Sequence, residues 1–269
     1  MPVDVAAEVI ANRRLSPDYN ILSLRAPEIA RGAEPGQFVM VKAGLGLDPL
    51  LRRPFSVFEI LRDGDTFTGL SLLNKRVGPS TSLVYAAQPG QPVACLGPLG
   101  RPFSVVDPPV EAWMVAGGVG LAPFATLVEA LTRRGVVCTL FYGARRSEEL
   151  FCLDLFLACG VELVLTTEDG SAGERGRVTA PLDRRLAGRR RDAPVMTYAC
   201  GPEGMLAATA AVAARHERPC QVSVERVMAC GLGGCYSCVV PMRNAEGGFH
   251  HVRSCLTGPV LPADQIVWE

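Results

Sequence analysis

The sequence predicts a protein of class β plus α/β, and three observations carry that prediction. Short apolar segments separated by Gly, Pro or Asp fill the first third, which is typical of a small antiparallel barrel. Strand and helix patterns alternate in the middle, which favours an open parallel sheet. Four cysteines then lie between residues 230 and 255. We expect three units: residues 1–104, residues 107–219 and residues 220–269.

Length and composition narrow the class of protein. The chain has 269 residues, of which 48% are hydrophobic and 20% charged, so it can bury a sizeable core. Its net charge is zero, which gives no electrostatic reason to expect nucleic acid or an acidic membrane surface as a partner. No apolar run reaches about 18 residues. The chain starts without a basic and then apolar leader, so we expect ten reduced cysteines and a cytoplasmic location.

The barrel is predicted to have six strands. Their segments are short and partly alternate between apolar and polar residues. One helix, Ser80–Ala87, is expected among them. The predicted strands are Ala6–Ala11, Tyr19–Arg25, Gln37–Lys42, Phe55–Leu61, Phe67–Leu73 and Gln91–Leu96.

Two stretches of the barrel carry groups that suit a nucleotide cofactor. In the first, Arg53 can pair with a phosphate, Phe55 can pack on a flat ring, and Ser56 can hydrogen-bond a ring nitrogen. A barrel strand that merely begins with Arg-Pro fits the same residues. In the second, the turn from Gly78 to Thr81 opens a helix and offers N–H groups and hydroxyls to an anion. An ordinary helix cap explains that turn equally well.

In the middle of the chain, strands alternate with helices, which predicts parallel strands with helices on both faces. The expected strands are Ala112–Ala116, Val136–Tyr142, Val161–Thr166, Val195–Ala199 and Gln221–Val224. The expected helices are Phe124–Arg134, Glu148–Cys159, Ala180–Leu186 and Glu203–His216.

Two glycine-containing loops follow strands of this sheet. Gly117-Gly-Val-Gly120 comes after the first strand, and Cys200-Gly-Pro202 comes after a later one. Carboxyl ends of parallel strands are where such sheets bind ligands, and glycines let backbone N–H groups reach a pyrophosphate. One glycine cluster alone also fits helix–strand packing, so the hypothesis depends on the pair. Cys200 is compatible with a buried structural thiol as well.

The cysteines near the C-terminus have a specific spacing. Four residues separate Cys230 from Cys235, two separate Cys235 from Cys238, and Cys255 follows after sixteen. This is the pattern of a plant-type [2Fe–2S] site, in which four thiolates hold the cluster. A zinc site more often uses two C-x2-C pairs, and only one is present; a disulfide pair is the other alternative. Three glycines are expected to permit positive φ, so that backbone N–H groups face the sulfurs: Gly231, Gly233 and Gly234. His250 and His251 read as strand or loop residues.

These motifs, in this order, resemble the ferredoxin–NAD(P)H reductase family. The resemblance implies an FAD-binding barrel, a Rossmann-like NAD-binding domain and a cluster segment. Arg53, Pro54, Phe55 and Ser56 would touch the flavin and its phosphates. Leu73, Asn74 and Lys75 would line the nucleotide, and Gly78, Ser80 and Thr81 would hold the FAD pyrophosphate, although relatives often carry Gly where Ser80 stands. Gly117, Gly118 and Gly120 would contact the pyrophosphate of NAD, and Cys200, Gly201 and Pro202 would border its nicotinamide.

One branch of that family matches further. The run Glu225–Cys238 and the run Cys255–Val260 are similar to the electron-transfer subunits of class 1B dihydroorotate dehydrogenases. The resemblance implies that a partner FMN subunit oxidises dihydroorotate in pyrimidine biosynthesis, in an assembly of two plus two. Its electrons would pass through [2Fe–2S] and FAD to NAD+, with Ser56 and Cys200 as the catalytic residues.

Two other functions and one choice of cofactor stay open at this stage. Subunits that serve a ferredoxin, hydrogenase or sulfite reductase partner have similar cysteine loops, and a redox sensor would need the same groups. Arg145, Arg146 and Ser147 follow a strand and could meet the 2′-phosphate of NADP or cap the next helix. The closest resemblance favours NAD.

Overall fold

The computed structural model describes residues 1–44 and 46–268. It contains two seven-stranded sheets and a two-stranded hairpin. None of the helices in the described residues has the length and apolarity needed to cross a membrane. The first sheet consists of β1 Val3–Arg14, β2 Tyr19–Arg25, β3 Phe38–Ala43, β4 Arg53–Ser56, β5 Glu59–Asp63, β6 Thr66–Lys75 and β7 Pro92–Leu99.

The barrel has seven strands, so the prediction of six was wrong by one. The predicted strand Phe55–Leu61 is split between β4 and β5. At the break, the chain exchanges one partner strand for another: the Val57 N–H donates to the Gln37 carbonyl, and the Phe58 N–H donates to the Ser71 carbonyl. β4 and β5 lie at opposite edges of the sheet, in the order β4-β3-β7-β1-β2-β6-β5. One continuous run of chain therefore links the two edges.

Two helices accompany the barrel. α1, Pro27–Ala30, was not predicted. α2, Pro79–Ala86, corresponds to the predicted helix Ser80–Ala87, shifted by one residue. Proline at the first helical position suits a helix start, because its missing N–H would have no intrahelical partner there.

The second sheet has the predicted parallel core. Its strands β8 Glu111–Gly117, β9 Cys138–Ala144, β10 Glu162–Thr167, β11 Glu174–Arg175, β12 Val195–Cys200 and β13 Cys220–Ser223 pair in parallel. The last member, β16 Val260–Pro262, pairs antiparallel with β13. β11 and β16 were not predicted, since both are too short to show a pattern. The main helices are α3 Ala122–Thr132, α4 Leu153–Ala158, α5 Thr179–Ala187 and α6 Glu203–Arg215.

The predicted helix Glu148–Cys159 forms only in its second half. A short 3-10 turn covers Ser147–Glu149, and α4 begins at Leu153. The Tyr142 hydroxyl donates to the Glu149 carbonyl at 3.1 Å. In a continuous helix, that carbonyl would instead accept a hydrogen bond from a backbone N–H within the helix. Cys152 adopts a left-handed φ of 58°, which ends any helix running through it.

One buried hydrophobic cluster spans the barrel and the parallel sheet, and each of them also has a cluster of its own. Phe103, at the junction, stacks on Phe124 at 5.9 Å and meets Tyr198 edge-on at 5.4 Å. The Tyr198 hydroxyl donates to the Ser104 carbonyl at 2.7 Å. Further along the junction, the Tyr19 ring of the barrel packs on Phe151 at 4.6 Å. These contacts fix the barrel against the sheet.

The last fifty residues are not a separate globule. They contain the hairpin β14 Val239–Arg243 and β15 Phe249–Arg253, and then β16, which extends the parallel sheet. His250 and His251 lie on β15, as the sequence predicts. The cysteine loop between β13 and β14 has no regular secondary structure apart from turns and bends.

Candidate functional site

The strand with the predicted flavin motif, β4, is an edge strand. It pairs antiparallel with β3, with Ser56 opposite Phe38 and Pro54 opposite Met40. The Phe55 side chain packs into the barrel core and is 9% exposed. The neighbouring Arg53 is half-buried, and its guanidinium donates only weakly, at 3.4 Å, to the Arg52 carbonyl. The motif therefore presents Arg53 as an available cation and Phe55 mainly as a core residue.

The start of α2 leaves backbone N–H groups for an anion. The Thr81 hydroxyl accepts from the N–H groups of Val77 and Gly78, at 2.8 and 2.9 Å, and donates to the Gly78 carbonyl at 3.0 Å. Thr81 thus satisfies the turn before the helix. The N–H groups of the first helical turn have no intrahelical acceptor and lie at the positive end of the helix dipole. Because the Gly78 N–H is taken by Thr81 and Pro79 has no N–H, the donors suited to an anion are the N–H groups of Ser80 and Thr81; the contact of a pyrophosphate with Gly78, Ser80 and Thr81 stays a prediction.

A series of three hydrogen-bonded amides, of which Asn20 and Asn74 are buried and Asn12 is half-buried, holds α2 in place. Asn74 donates to the Asn20 side chain at 2.7 Å, and Asn20 donates to Asn12 at 2.8 Å. The ends of the series are anchored on α2, because Asn74 donates to the Thr81 carbonyl and Asn12 donates to the carbonyls of Tyr85 and Ala87. The acceptors at both ends are backbone carbonyls, so the NH2 group of the amide must face them. This fixes which side-chain atom is nitrogen and which is oxygen in all three asparagines. These hydrogen bonds tie three barrel strands, β1, β2 and β6, to α2.

The two glycine-containing loops of the parallel sheet pack directly on each other. β8 and β12 are adjacent, with Ala116 opposite Cys200. A Cβ added to Gly120 would lie 2.1 Å from the Cys200 carbonyl oxygen, and one added to Gly117 would lie 2.8 Å from the Met205 sulfur. A Cβ on Gly118, whose φ is 54°, would meet nothing within 4 Å. Gly117 and Gly120 permit the close packing of the loops, and Gly118 is the glycine with open space beside it.

Residue Cys200 is partly accessible, but its thiol lies in a desolvated position. Burial raises the pKa of Cys200 to about 12, against a smaller lowering by a hydrogen bond with Ser223. The thiol is therefore neutral at physiological pH. A neutral thiol can offer a polarisable surface to a ring, but it is not poised as a thiolate nucleophile.

The 3-10 turn Gly118–Leu121 connects the second site to the first. It lies against β6, the strand that ends with the predicted nucleotide-lining residues Leu73, Asn74 and Lys75. Leu73 and Leu121 belong to the same buried cluster. The predicted dinucleotide loop and the predicted flavin strand are thus neighbours.

The four cysteines of the predicted cluster differ in exposure. Cys238 and Cys255 are 2% and 1% exposed, Cys230 is half-buried, and Cys235 is exposed. Gly231 and Gly233 have φ of 70° and 83°, as predicted, whereas Gly234 does not have a positive φ. The Leu232 N–H donates to the Cys230 sulfur at 3.4 Å.

The four thiols are electrostatic neighbours. Cys235 interacts with the Cys230 side chain, Cys255 interacts with the Cys238 side chain, and Cys230 also acts on Cys255. Over residues 1–44 and 46–268, no three or more His, Cys, Asp or Glu side chains are arranged to hold a single metal ion. A two-iron cluster has a different requirement, because four thiolates are shared between two irons. Two pairs of soft sulfur ligands, one from Cys238 and Cys255 and one from Cys230 and Cys235, fit that requirement.

The pKa values of Cys235 and Cys255 are shifted in opposite directions. The Ser237 hydroxyl, followed by nearby backbone N–H groups, lowers the pKa of Cys235 to about 6. Burial, followed by the Cys238 side chain, raises the pKa of Cys255 to about 12. Metal ligation requires the thiolate, so a metal bound by Cys255 would displace the proton of that thiol.

The cysteine loop packs against the barrel beside the flavin motif. Cys238 and Cys255 share a buried cluster with Phe38 and Met40 of β3. A Cβ on Gly231 would lie 2.5 Å from Cγ of Met40. Since β3 pairs with β4, the cysteine loop is one strand away from the Arg53–Ser56 motif.

Several residues that shape the site were missed in the sequence. Asn12 and Asn20 hold α2, and Arg253 supports the cysteine loop by donating to the Gly233 carbonyl at 2.6 Å and lying over the Tyr236 ring at 4.5 Å. Asn20 lies within the predicted strand Tyr19–Arg25, and Asn12 directly follows the predicted strand Ala6–Ala11. Asparagine is disfavoured in strands, and this was the available signal for both residues. No local signal marks Arg253.

Comparisons with known proteins agree with this architecture. Residues 114–211 match the model of the oxidoreductase NAD-binding domain, and residues 225–267 match that of the iron-sulfur cluster binding domain of dihydroorotate dehydrogenase B. Among solved structures, the chain is similar to one described as an NADH-dependent reduced ferredoxin-NADP oxidoreductase, with a TM-score of 0.84 and 26% identity, covering 98% of this chain and 90% of that one. A ferredoxin reductase in carbazole 1,9a-dioxygenase shares the fold, with a TM-score of 0.68 and 22% identity over 81% of this chain and 67% of that one. Fold and site together define an NAD-linked flavin and iron–sulfur oxidoreductase.

The curated relatives specify the branch. The dihydroorotate dehydrogenase B (NAD(+)) electron transfer subunit of Desulforamulus reducens is 38% identical, with 98% of each chain covered. That of Geobacillus kaustophilus is 36% identical, with 96% of each chain covered. The chain belongs to the family of dihydroorotate dehydrogenase B electron transfer subunits.

Proposed function

We propose that this chain transfers electrons between a dihydroorotate-oxidising partner subunit that carries FMN and NAD+, using one [2Fe–2S] cluster and one FAD. A flavin exchanges electrons singly with a cluster and in pairs with a nicotinamide, so it belongs between them. No motif of this sequence predicts a catalytic base for dihydroorotate. We therefore assign the oxidation of dihydroorotate to orotate, a step of pyrimidine synthesis, to the partner.

One observation carries the proposal most directly. The buried Cys238 and Cys255 share a cluster with Phe38 and Met40, and these two β3 residues pair with Ser56 and Pro54 of the flavin motif. On the other side, the Gly118–Leu121 turn lies against β6. This order supports a path from the cysteine loop across the barrel to the dinucleotide loops.

The proposed roles of the chain's own residues follow from their contacts. Arg53 would neutralise a phosphate, and the first turn of α2 would bind the pyrophosphate. Ser56 would donate to or accept from the flavin ring. The neutral Cys200 thiol, with Gly201 and Pro202, would border the nicotinamide and keep water from it. The buried positions of Cys238 and Cys255 would hold one iron away from solvent.

The partner surface is proposed to surround the cysteine loop. Four large apolar side chains are exposed there: Val227, Leu232, Tyr236 and Leu256. Val227 has the largest exposed fraction of the four, 80%. An exposed apolar patch around a redox centre suits a protein contact that brings two such centres close together. We propose that two copies of this chain join two copies of the partner at this surface.

The test is isolation of the native complex from its source, with iron, flavin and activity measured. We expect FAD and two irons per copy of this chain, FMN in a copurifying subunit, and dihydroorotate-dependent reduction of NAD+. Replacing Leu232 and Tyr236 with aspartate and serine should release the partner while leaving NADH-dependent dye reduction by this chain intact. Normal pyrimidine synthesis after deletion of this chain, or copurification with a different redox protein, would contradict the assignment.

A second function has a specific observation in its favour. The structure described as an NADH-dependent reduced ferredoxin-NADP oxidoreductase covers 98% of this chain at a TM-score of 0.84. A subunit serving a ferredoxin would need the same three groups. Reduction of ferredoxin by the purified chain at a rate matching that of the complex would favour this alternative.

NAD is the proposed nicotinamide cofactor. Arg146 lies 3.9 Å from both Glu148 and Glu149, so its charge is partly offset by two carboxylates. That setting is unfavourable for a 2′-phosphate. The ratio of kcat/KM for NADH and NADPH is the measurement, and a large preference for NADPH would reverse the choice.

A further inference from the structure

The hydroxyl of Ser237 lies between two groups of the cysteine loop. The Ala229 N–H donates to Ser237 Oγ at 3.2 Å. Ser237 Oγ also lies 3.2 Å from Cys235 Sγ, and either atom of that pair could be the donor. The hydroxyl is thus held from one side by the backbone and faces a predicted cluster ligand on the other.

Ligation fixes the direction of the second hydrogen bond. An iron-bound cysteine sulfur has lost its proton and can only accept. Ser237 Oγ already accepts from the Ala229 N–H, so its own proton is directed toward Cys235 Sγ. The result is a hydroxyl that donates to a cluster thiolate at a fixed position.

We propose that Ser237 is a positioning residue that raises the reduction potential of the cluster through Cys235. This inference rests on the proposed [2Fe–2S] site. Reduction adds one electron and one negative charge to the cluster, without making or breaking a bond. A donor on a ligand sulfur stabilises the more negative state more strongly, and hydrogen bonds to the sulfurs are a recognised determinant of such potentials.

Cys235 is a suitable ligand for this effect. It is the exposed cysteine of the four, so solvent also contacts this side of the cluster. Cys230 receives its donor from the Leu232 backbone, which no side-chain change can remove. The Ser237 hydroxyl is a side-chain donor, and the sequence can therefore set the potential at this position without rebuilding the loop.

The experiment is a potentiometric titration of the full chain, with the reduced cluster followed by electron paramagnetic resonance. We expect Ser237→Ala to lower the midpoint potential by up to about 59 mV. For a one-electron couple, that shift corresponds to a tenfold change in the ratio of oxidised to reduced cluster. Ser237→Thr, which keeps the hydroxyl, should retain the wild-type potential. Thr257→Val is the matched control, because it removes a hydroxyl from an exposed residue two positions after Cys255 and should leave the potential unchanged.

The outcomes separate this inference from the proposed function. Equal midpoints for wild type, Ser237→Ala and Ser237→Thr, with intact clusters, would overturn the role of Ser237 alone. A wild-type chain that shows neither iron nor a reduced-cluster signal would overturn the [2Fe–2S] site itself. If Ser237→Ala assembles no cluster, the isosteric pair Ser237→Thr and Ser237→Val replaces it. A cluster in the threonine variant and none in the valine variant would assign Ser237 to assembly and refute tuning.

Discussion

The dinucleotide loops and the cysteine loop hold their predicted groups by different means. At Gly117–Gly120 and Cys200–Pro202, the predicted binding would depend on backbone at the ends of paired strands, and the glycines matter because they have no side chains. At the predicted cluster site, binding would depend on four side chains, three in the loop between β13 and β14 and Cys255 in the turn after β15, and both segments consist of turns, bends and irregular backbone. The first site is positioned by a sheet ladder. The second is positioned by packing on a neighbouring barrel and by Arg253.

This difference teaches where each site is sensitive. A site made of backbone fails when a Cβ is added, whereas a site made of side chains fails when a ligand atom is removed. The following predictions test that contrast, from the largest expected effect to the smallest.

The largest effect is expected from Cys255→Ser. The thiol is 1% exposed, and serine is a harder and poorer ligand for iron–sulfur clusters. We expect loss of cluster absorbance and of most of the iron, with NADH-dependent dye reduction through FAD retained within about twofold. Iron analysis and visible spectra measure the outcome. Cys95→Ala, at a buried cysteine of the barrel, is the control and should keep the cluster; a fully loaded cluster in Cys255→Ser would refute the ligand assignment.

Gly120→Ala should have the next largest effect. The new methyl group would lie 2.1 Å from the Cys200 carbonyl oxygen, so the two loops must move apart. We expect kcat/KM for NADH to fall at least about tenfold, which corresponds to about 1.4 kcal/mol, while iron and flavin contents stay normal. Gly204→Ala is the matched control, because a Cβ there meets nothing within 4 Å and alanine favours the helix. Unchanged NADH kinetics in Gly120→Ala would show that the loops do not form the dinucleotide site.

Asn20→Leu is expected to weaken FAD binding. It interrupts the series of amides: the buried Asn74 amide keeps only the Thr81 carbonyl as acceptor, and the half-buried Asn12 oxygen loses its donor. An unsatisfied buried polar group costs about 1–3 kcal/mol. Because the three amides anchor α2, we expect the Kd for FAD to rise about tenfold while the cluster spectrum is unchanged. Quenching of flavin fluorescence on the deflavinated protein measures the Kd. Asn244→Ala, in the β14–β15 turn, should leave it unchanged, and equal affinities in both variants would remove the series of amides from the FAD site.

The smallest effect concerns the ion pair that joins the two regions. Arg226, at the start of the cysteine segment, makes two 2.7 Å hydrogen bonds to Glu203, at the start of α6. These bonds lower the pKa of Glu203. Stability from the pair is therefore present above the unfolded pKa of about 4.3 and is lost as pH falls through the lower folded value.

Both partners of that ion pair are partly exposed, so Glu203→Gln should reduce the free energy of unfolding by less than about 1 kcal/mol at pH 7. The difference from wild type should shrink below about pH 4. Urea unfolding at pH 7, 5 and 3.5 measures it. A difference that grows toward low pH would contradict the direction of the pKa shift.

Much of the fold could be predicted, and the errors have common causes. The parallel strands β8, β9, β10, β12 and β13 were found because buried strands give continuous apolar runs. The run from Arg53 to Asp63 was read as containing one strand because its apolar pattern is unbroken, yet the chain changes partners at Val57 and Phe58. The helix Glu148–Cys159 was overextended, because the Tyr142 hydroxyl that interrupts it lies outside the local window.

The candidate site shows the same limit. Phe55 was read as a ring for the flavin, whereas the structure packs it in the barrel core, and the flavin contact stays a prediction. The roles of the glycines could not be separated in the sequence, since only the packed loops show that Gly120 faces Cys200 and Gly118 faces open space.

The sequence by itself determined the chemistry: which ligands are present, at what spacing, and which turns can approach a phosphate. Those properties are local, because they follow from residue type and from a few bonds of chain. Only the tertiary structure decided that Cys238 and Cys255 are buried against β3, that Cys235 is exposed, and that α2 is held by three distant amides. Burial and long-range hydrogen bonds depend on segments far apart in the chain, and no local pattern encodes which of them meet.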